Sequence, residues 1–138
     1  MANILLFGGF VQSLSCARSL KEVGHDVHVV ACKDRIAAHS NYINSYTEID
    51  SLSDNLSVES FLMDFITNNN IDVVIPMEDT HATILSQLKH SLEEKTQVRV
   101  AVMDWEGFRP ASNKSELLEF CKEHGIAKMA PKNKELER

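Results

Sequence analysis

The chain has 138 residues, enough for one self-supporting domain: at this size roughly 68% of the unfolded surface can be buried, so no disulfide or metal staple is needed. With 43% hydrophobic and 25% charged residues, and no apolar run approaching the ~18 that a membrane span requires, the composition is that of a soluble globular protein with no membrane partner. A net charge of -6 without a clustered Lys/Arg face argues against a nucleic-acid partner.

Met1-Ala2-Asn3 passes directly into apolar residues with no basic leader segment, which makes the cytoplasm the expected compartment. Ile4-Leu5-Leu6-Phe7 reads as a strand buried on both faces and ended by Gly8-Gly9. Cys16, Ala17, Leu20 and Val23 then recur at helical spacing, with Gly24 placed as a left-handed cap, and residues 25–31 form a second strand. Such a strand, helix, strand unit makes a parallel pair with a right-handed crossover. Between residues 33 and 54 the pattern weakens: Tyr42, Ile43 and Tyr46 suit a short helical face, and residues 46–49 a short edge strand.

Ser57 is the expected N-cap of a helix carrying Val58, Phe61, Leu62, Phe65 and Ile66, and Asn68-Asn69-Asn70 ends it. Residues 71–75 form the next buried strand, stopped by Pro76, which has no N–H for the ladder. Thr80 is then placed to cap a helix with Ile84, Leu85, Leu88 and Leu92, and residues 98–102 supply the last strand. Alternation of this kind predicts a doubly wound, mostly parallel Rossmann-like α/β sheet with helices on both faces and with strands 4–7 and 71–75 as central neighbours. Asn113 and Glu116 form a capping-box-like start to a final helix with Leu117, Leu118 and Cys121 on its apolar face, and Gly125 closes it.

Ligands of open α/β sheets bind beyond the carboxyl ends of the strands, which here means Gly8-Gly9-Phe10, residues 31–35 and residues 77–80. Gly8-Gly9 suits either a tight turn or a loop that a ligand approaches; without the later glycines of GxGxxG, and with Asp34 past the expected acid position, NAD is not the expected ligand. Glu78-Asp79 suits orienting an amine or holding a metal through water, or else Asp79 and Thr80 cap the helix while Glu78 is solvated. His81 reads as structural, His25 and His28 point to opposite faces of a strand, and no zinc set or activated nucleophile emerges. Cys16, Cys32 and Cys121 lack CxxC spacing and read as buried reduced thiols. Lys114 stands in the first turn of the final helix, the wrong end of its dipole for a cation unless an anion compensates.

Taken in order, Ile4-Leu5-Leu6-Phe7-Gly8-Gly9, the run from Arg18 through Gly24-His25-Asp26-Val27, Ser40-Asn41-Tyr42, Ile71-Asp72-Val73-Val74-Ile75-Pro76, and Asn113-Lys114 through His124-Gly125-Ile126 resemble the N-terminal domain of ATP-grasp enzymes. The similarity is to carbamoyl-phosphate-synthase-like and carboxylate-amine ligases, covers nearly the whole chain, and rests on the order and spacing of the five segments. It implies a pre-ATP-grasp domain over residues 1–111. Residues 112–138 would then be a helix and tail leading to an ATP-grasp domain or subunit that holds ATP and magnesium and makes an acyl-phosphate from a small-molecule carboxylate.

On the same resemblance Lys114 reaches the nucleotide phosphates, Gly8, Gly9 and Phe10 border the substrate, and Pro76 and Glu78, with Asp79 beside them, lie on a loop facing the inter-domain active site. Phe10 stands where some ligases carry a substrate-binding acid. Family members continue well beyond the segment matching Ile126 to Pro131, so the ligase chemistry, its ATP and its magnesium are expected of the complete enzyme, and no cofactor or turnover of the isolated chain. Homodimerisation is kept open. Two other readings compete: a stand-alone binding or scaffold module docking a partner protein, and the N-terminal half of a nucleotide-sugar glycosyltransferase, which Gly24-His25-Asp26-Val27 also resembles.

Overall fold

A computed structural model describes residues 1–33 and 35–126; Asp34 and the tail from residue 127, with Pro131 and Lys132, lie outside the described residues. Five strands, β1 (Asn3–Phe7), β2 (Asp26–Ala31), β3 (Ser45–Glu48), β4 (Val73–Pro76) and β5 (Arg99–Val100), form one parallel sheet in the order β3-β2-β1-β4-β5. The two expected central strands pair directly, from Ile4 opposite Val73 to Phe7 opposite Pro76. Pro76 is tolerated there as the last paired residue, where the ladder ends.

The pleat sorts the side chains of β1 between two cores. Ile4 and Leu6, with Val27 and Val29 of β2, pack on Ala17 of helix α1 (Val11–Glu22) and Ala37 of a 3-10 turn at Ile36–His39. Leu5 and Phe7, with Val30 and Val74, pack on Val58, Leu62 and Ile66 of α2 (Asn55–Asn69) and on Ile84, Leu85, Leu88 and Leu92 of α3 (Asp79–Lys95). Each fully buried Leu, Val or Phe contributes about 1.5–3 kcal/mol, so the face covered by two helices supplies most of the sheet's support.

Several boundaries differ from the sequence expectation, each for a local reason. Asp54, not Ser57, is the N-cap of α2: its carboxylate accepts from the Leu56 amide and from the Ser57 hydroxyl, so Ser57 serves the cap. Glu78 occupies the N-cap position of α3 without capping it, because its carboxylate lies over Gly8, and Thr80 is already inside the helix. Tyr42 and Ile43 belong to no helix, and β3 starts one residue earlier than expected. The last strand is only two residues long.

After it, Asp104 caps a helix the periodicity did not announce, α4 (Trp105–Ser112), by accepting from the Gly107 amide at 3.0 Å. Gly107 and Pro110 lower its intrinsic propensity and conceal it in the sequence. The division drawn between residues 111 and 112 falls in its last turn. The final helix, α5 (Lys114–Glu123), starts as expected, with Asn113 accepting from the Ser115 and Glu116 amides, and Gly125 follows it at a φ of +66°. Glu116 does not close the reciprocal half of a capping box; it pairs with Arg109 at 3.3 Å.

Candidate functional site

The segments after β2, β3 and β4 form a cavity of about 380 Å³ at the carboxyl edge, lined among others by Cys32, Arg35, Asp50, Glu78, Thr80 and His81, with the glycine loop after β1 packed against Arg35 and Glu78. The two glycines set its geometry. Gly8, at a φ of +124°, donates its amide to the Val30 carbonyl at 2.8 Å and accepts the Ser13 hydroxyl at 2.7 Å. A Cβ there would lie 2.9 Å from Oε2 of Glu78, and one on Gly9 would lie 2.8 Å from the Arg35 Cβ. The glycine pair thus makes room for two charged side chains brought in from other loops.

Arg35 is held at three points. Its amide donates to the Tyr46 hydroxyl at 3.0 Å, its Nε donates to the Cys32 carbonyl at 3.0 Å, and its guanidinium carbon stands 4.5 Å from the centre of the Phe10 ring. It forms no ion pair with a described residue. Phe10, 40% exposed, is therefore a platform for the guanidinium.

His81 lies on the first turn of α3, 6% exposed, edge-on to Phe7 with ring centres 4.7 Å apart. Its Nδ1 is 3.6 Å from Oε2 of Glu78, too far for a hydrogen bond, and neither ring nitrogen has a hydrogen-bond partner. Burial lowers its pKa; the Glu78 carboxylate works against that and the Arg35 charge with it. The imidazole is thereby kept neutral at neutral pH. Burial likewise pushes the Cys32 thiol up, which removes it as a nucleophile.

Glu78 and Asp79, adjacent in sequence, look into different cavities. Asp79 lines a second one, of about 420 Å³, with Thr83 and with Phe108, Ala111 and Ser112 of α4. Lys114, exposed and two residues beyond Ser112, makes no ion pair among the described residues, since the nearby acid Glu116 is taken by Arg109. Gly8, Gly9, Phe10 and Glu78 are therefore brought together, whereas Asp79 and Lys114 belong to the α4 side. His25 and His28 stay apart in structural roles: Nδ1 of His25 accepts from the Ala2 amide, and Nδ1 of His28 shares a hydrogen bond with the Ser45 hydroxyl.

Of the two residues central to the cavity, Arg35 enters the sequence reading only as part of the edge segment 31–35, and His81 is read there as structural. The one available signal was the Glu78-to-His81 interval of three, which puts the pair on one helical face. As for the groups the family resemblance implies, the glycine loop does not fit a phosphate cradle, because the Glu78 carboxylate closes over Gly8. Among the described residues no group of three or more His, Cys, Asp or Glu is placed to hold a metal. Of the residues implicated, only Lys114 has chemistry suited to a phosphate.

Solved structures share this fold. The biotin carboxylase domain dimer of the Hydrogenobacter thermophilus 2-oxoglutarate carboxylase, in complex with MgADP, ADP and bicarbonate, matches 91% of this chain over 28% of its own, at a TM-score of 0.65 and 14% identity. An N5-carboxyaminoimidazole synthetase from Staphylococcus aureus, complexed with ADP, matches 90% of this chain over 30% of its own, at a TM-score of 0.64 and 17% identity. The fold is of the pre-ATP-grasp type. A pre-ATP-grasp fold is what the N-terminal regions of those ATP-grasp ligases contain, and this chain spans less than a third of their length.

At these identities the likeness is one of fold, and it extends to other chemistry: a precorrin-6A reductase matches 74% of the chain over 38% of its own, at a TM-score of 0.52 and 16% identity. No family model and no curated protein sequence matches the chain. Among the described residues, no helix is long and apolar enough to cross a membrane.

Proposed function

We propose that this chain is the N-terminal, substrate-side domain of an ATP-dependent ligase, of the carboxylate-amine or carbamoyl-phosphate-synthase-like kind, that activates a small carboxylate as an acyl-phosphate. The observation carrying this reading is the polar cavity at the carboxyl edge of a pre-ATP-grasp fold, a fold that the carboxylase and synthetase neighbours hold as part of a much longer chain. Gly8, Gly9, Phe10 and Glu78 form the substrate-side loops, with Asp79 at their boundary facing α4. ATP and magnesium belong to a partner ATP-grasp domain or subunit, and Lys114 is this chain's contribution toward the phosphates, its missing counter-charge being the nucleotide. The enzyme is cytoplasmic, and a homodimer is the assembly proposed by analogy with the carboxylase domain dimer.

ADP formation tests this. The chain alone should release none with magnesium-ATP and a carboxylate. Addition of an ATP-grasp domain encoded in the same or a neighbouring gene should give carboxylate-dependent ADP, lost on Lys114→Ala. Unaltered ADP formation by that domain with this chain omitted would overturn the proposal.

The competing docking-module reading has one observation in its favour: Leu117, Leu118, Phe120 and Ile126, at the end of the described residues, are 39%, 37%, 39% and 51% exposed. Capture of a partner lacking any nucleotide-binding activity, reversed by Leu117→Glu, would favour it over the ligase.

A further inference from the structure

His81 poses a specific physical problem. A buried imidazole with both nitrogens unpartnered is costly to hold, and native structures rarely leave such groups without a reason. The ring is 6% exposed and lines the carboxyl-edge cavity. Its neighbours there are complementary in charge yet unpaired: Arg35 makes no ion pair with a described residue, while the Glu78 carboxylate stands 3.6 Å from Nδ1 of His81. A cavity that offers such a cation and carboxylate with no ion pair between them, both side chains occupying room left by a glycine, suits a molecule that serves the two at once.

The chemistry of that molecule follows from the donors and acceptors. Arg35 is fixed by the Cys32 carbonyl and the Phe10 ring, so its terminal amino groups form a preoriented fork for an oxyanion. Glu78, and Asp50 on the same cavity, suit an ammonium group. A neutral imidazole always carries one donor and one acceptor nitrogen; with the Glu78 carboxylate beside Nδ1, the proton belongs there, and Nε2 is left to accept an N–H. A plain anion would leave Glu78 and His81 unserved and repelled, and a plain amine would leave Arg35 bare. The cavity, at about 380 Å³, falls in the range of small-molecule sites.

We infer that the carboxyl-edge cavity binds a small zwitterion, an α-amino acid, with its carboxylate on Arg35 and its ammonium group shared between Glu78 and His81. This deepens the ligase reading, on which it rests for taking the carboxyl edge as the substrate side. Arg35 and His81 become the residues that select the substrate class, and Gly8 and Gly9 support them by admitting Glu78 and Arg35 to the loop.

The test needs no nucleotide and no second domain, so its failure leaves the ADP-formation test of the ligase reading untouched. The isotope-labelled 138-residue chain is titrated at pH 7.5 with L-alanine, acetate or ethylamine at matched ionic strength, following the Gly8 and Gly9 amides and the His81 ring nitrogens by NMR. L-Alanine should give saturable shifts at all three positions, with acetate and ethylamine weaker by about tenfold or more, the loss of one charge-assisted contact. Arg35→Gln and His81→Asn should each weaken L-alanine binding by about tenfold or more, and Arg18→Gln, on the exposed face of α1, should not. Arg35→Gln alters a part-exposed side chain, so it keeps the test decisive should His81→Asn fail to fold. Acetate or ethylamine binding as tightly as L-alanine would overturn the inference, as would the absence of saturable shifts from L-alanine.

Discussion

The sheet with its three covering helices and the pair α4–α5 are held together differently. Leu5, Leu6, Phe7, Leu62, Leu85 and Leu92 are completely buried, whereas α4 and α5 contain no buried residue. The first region is specified by packing, which tolerates no change of volume; the second by short-range devices, namely the Asp104 and Asn113 caps and the Arg109–Glu116 pair. An arm of this kind can present a polar helix start and an apolar face to a neighbour without the sheet being altered. The cavity sits on the rigid side of that division, Asp79 at its boundary and Lys114 on the arm.

The largest blow to the packed side is Phe7→Ala, which removes a ring from the centre of the sheet and the edge contact of His81. A loss of about 3–5 kcal/mol in urea-unfolding stability is expected, against less than about 1 kcal/mol for Phe120→Ala on the arm. Equal losses would erase the distinction. Gly8→Ala comes next, on the order of 1–3 kcal/mol, because a side chain at a φ of +124° is strained and the new methyl meets the Glu78 carboxylate.

A smaller effect separates the two regions by pH. The folded-state pKa values of His81 and His28 are lowered by burial, so the unfolded chain binds the extra protons. Their stabilising contribution is complete above the ordinary imidazole value of about 6.5 and is lost as pH falls through the folded-state values. Glu93 and Glu59, with lowered pKa values from the Val100 amide and the Ser91 hydroxyl respectively, add their own loss only in the more acid carboxylate range. Unfolding stability measured from pH 7 to 5 should therefore decline, and His81→Asn should flatten that decline; an unchanged slope would mean that His81 does not titrate on unfolding.

Asn113→Ala should cost α5 about 1 kcal/mol, seen as faster amide exchange confined to α5 while the β1 amides keep their protection. The smallest change expected is that of Lys114→Ala, which removes a cation from a helix start and should leave helicity by circular dichroism unchanged or slightly raised. A clear drop would show that Lys114 supports the fold and is not held in reserve for an anion.

Much of the packed side was legible in the chain because it is written in periodicity. Residues 4–7 and 71–75 form continuous apolar runs, and a strand buried on both faces cannot be built otherwise. Gly24 and Asn70 stop helices by adopting left-handed backbone, a local property of those residues. Concealed were α4, where Gly107 and Pro110 mask a helix set by the Asp104 cap, and the start of α2, where Ser57 and Asp54 both suit the cap and the Leu56 amide, bonding to Asp54, decides between them.

The site divides along the same line. Gly8-Gly9 and Glu78 stand at strand ends, so residue order and strand periodicity alone place them at the carboxyl edge. That the glycines admit Glu78 and Arg35, that Arg35 leans on Phe10, and that His81 is buried beside them with nothing to bond depend on three loops converging from positions tens of residues apart. Sequence determined the layers of this protein and the edge where chemistry would lie, because both follow from local pattern; tertiary structure decided which charges share a cavity and which neighbours, such as Glu78 and Asp79, part company, because distance and burial exist only once the strands are side by side.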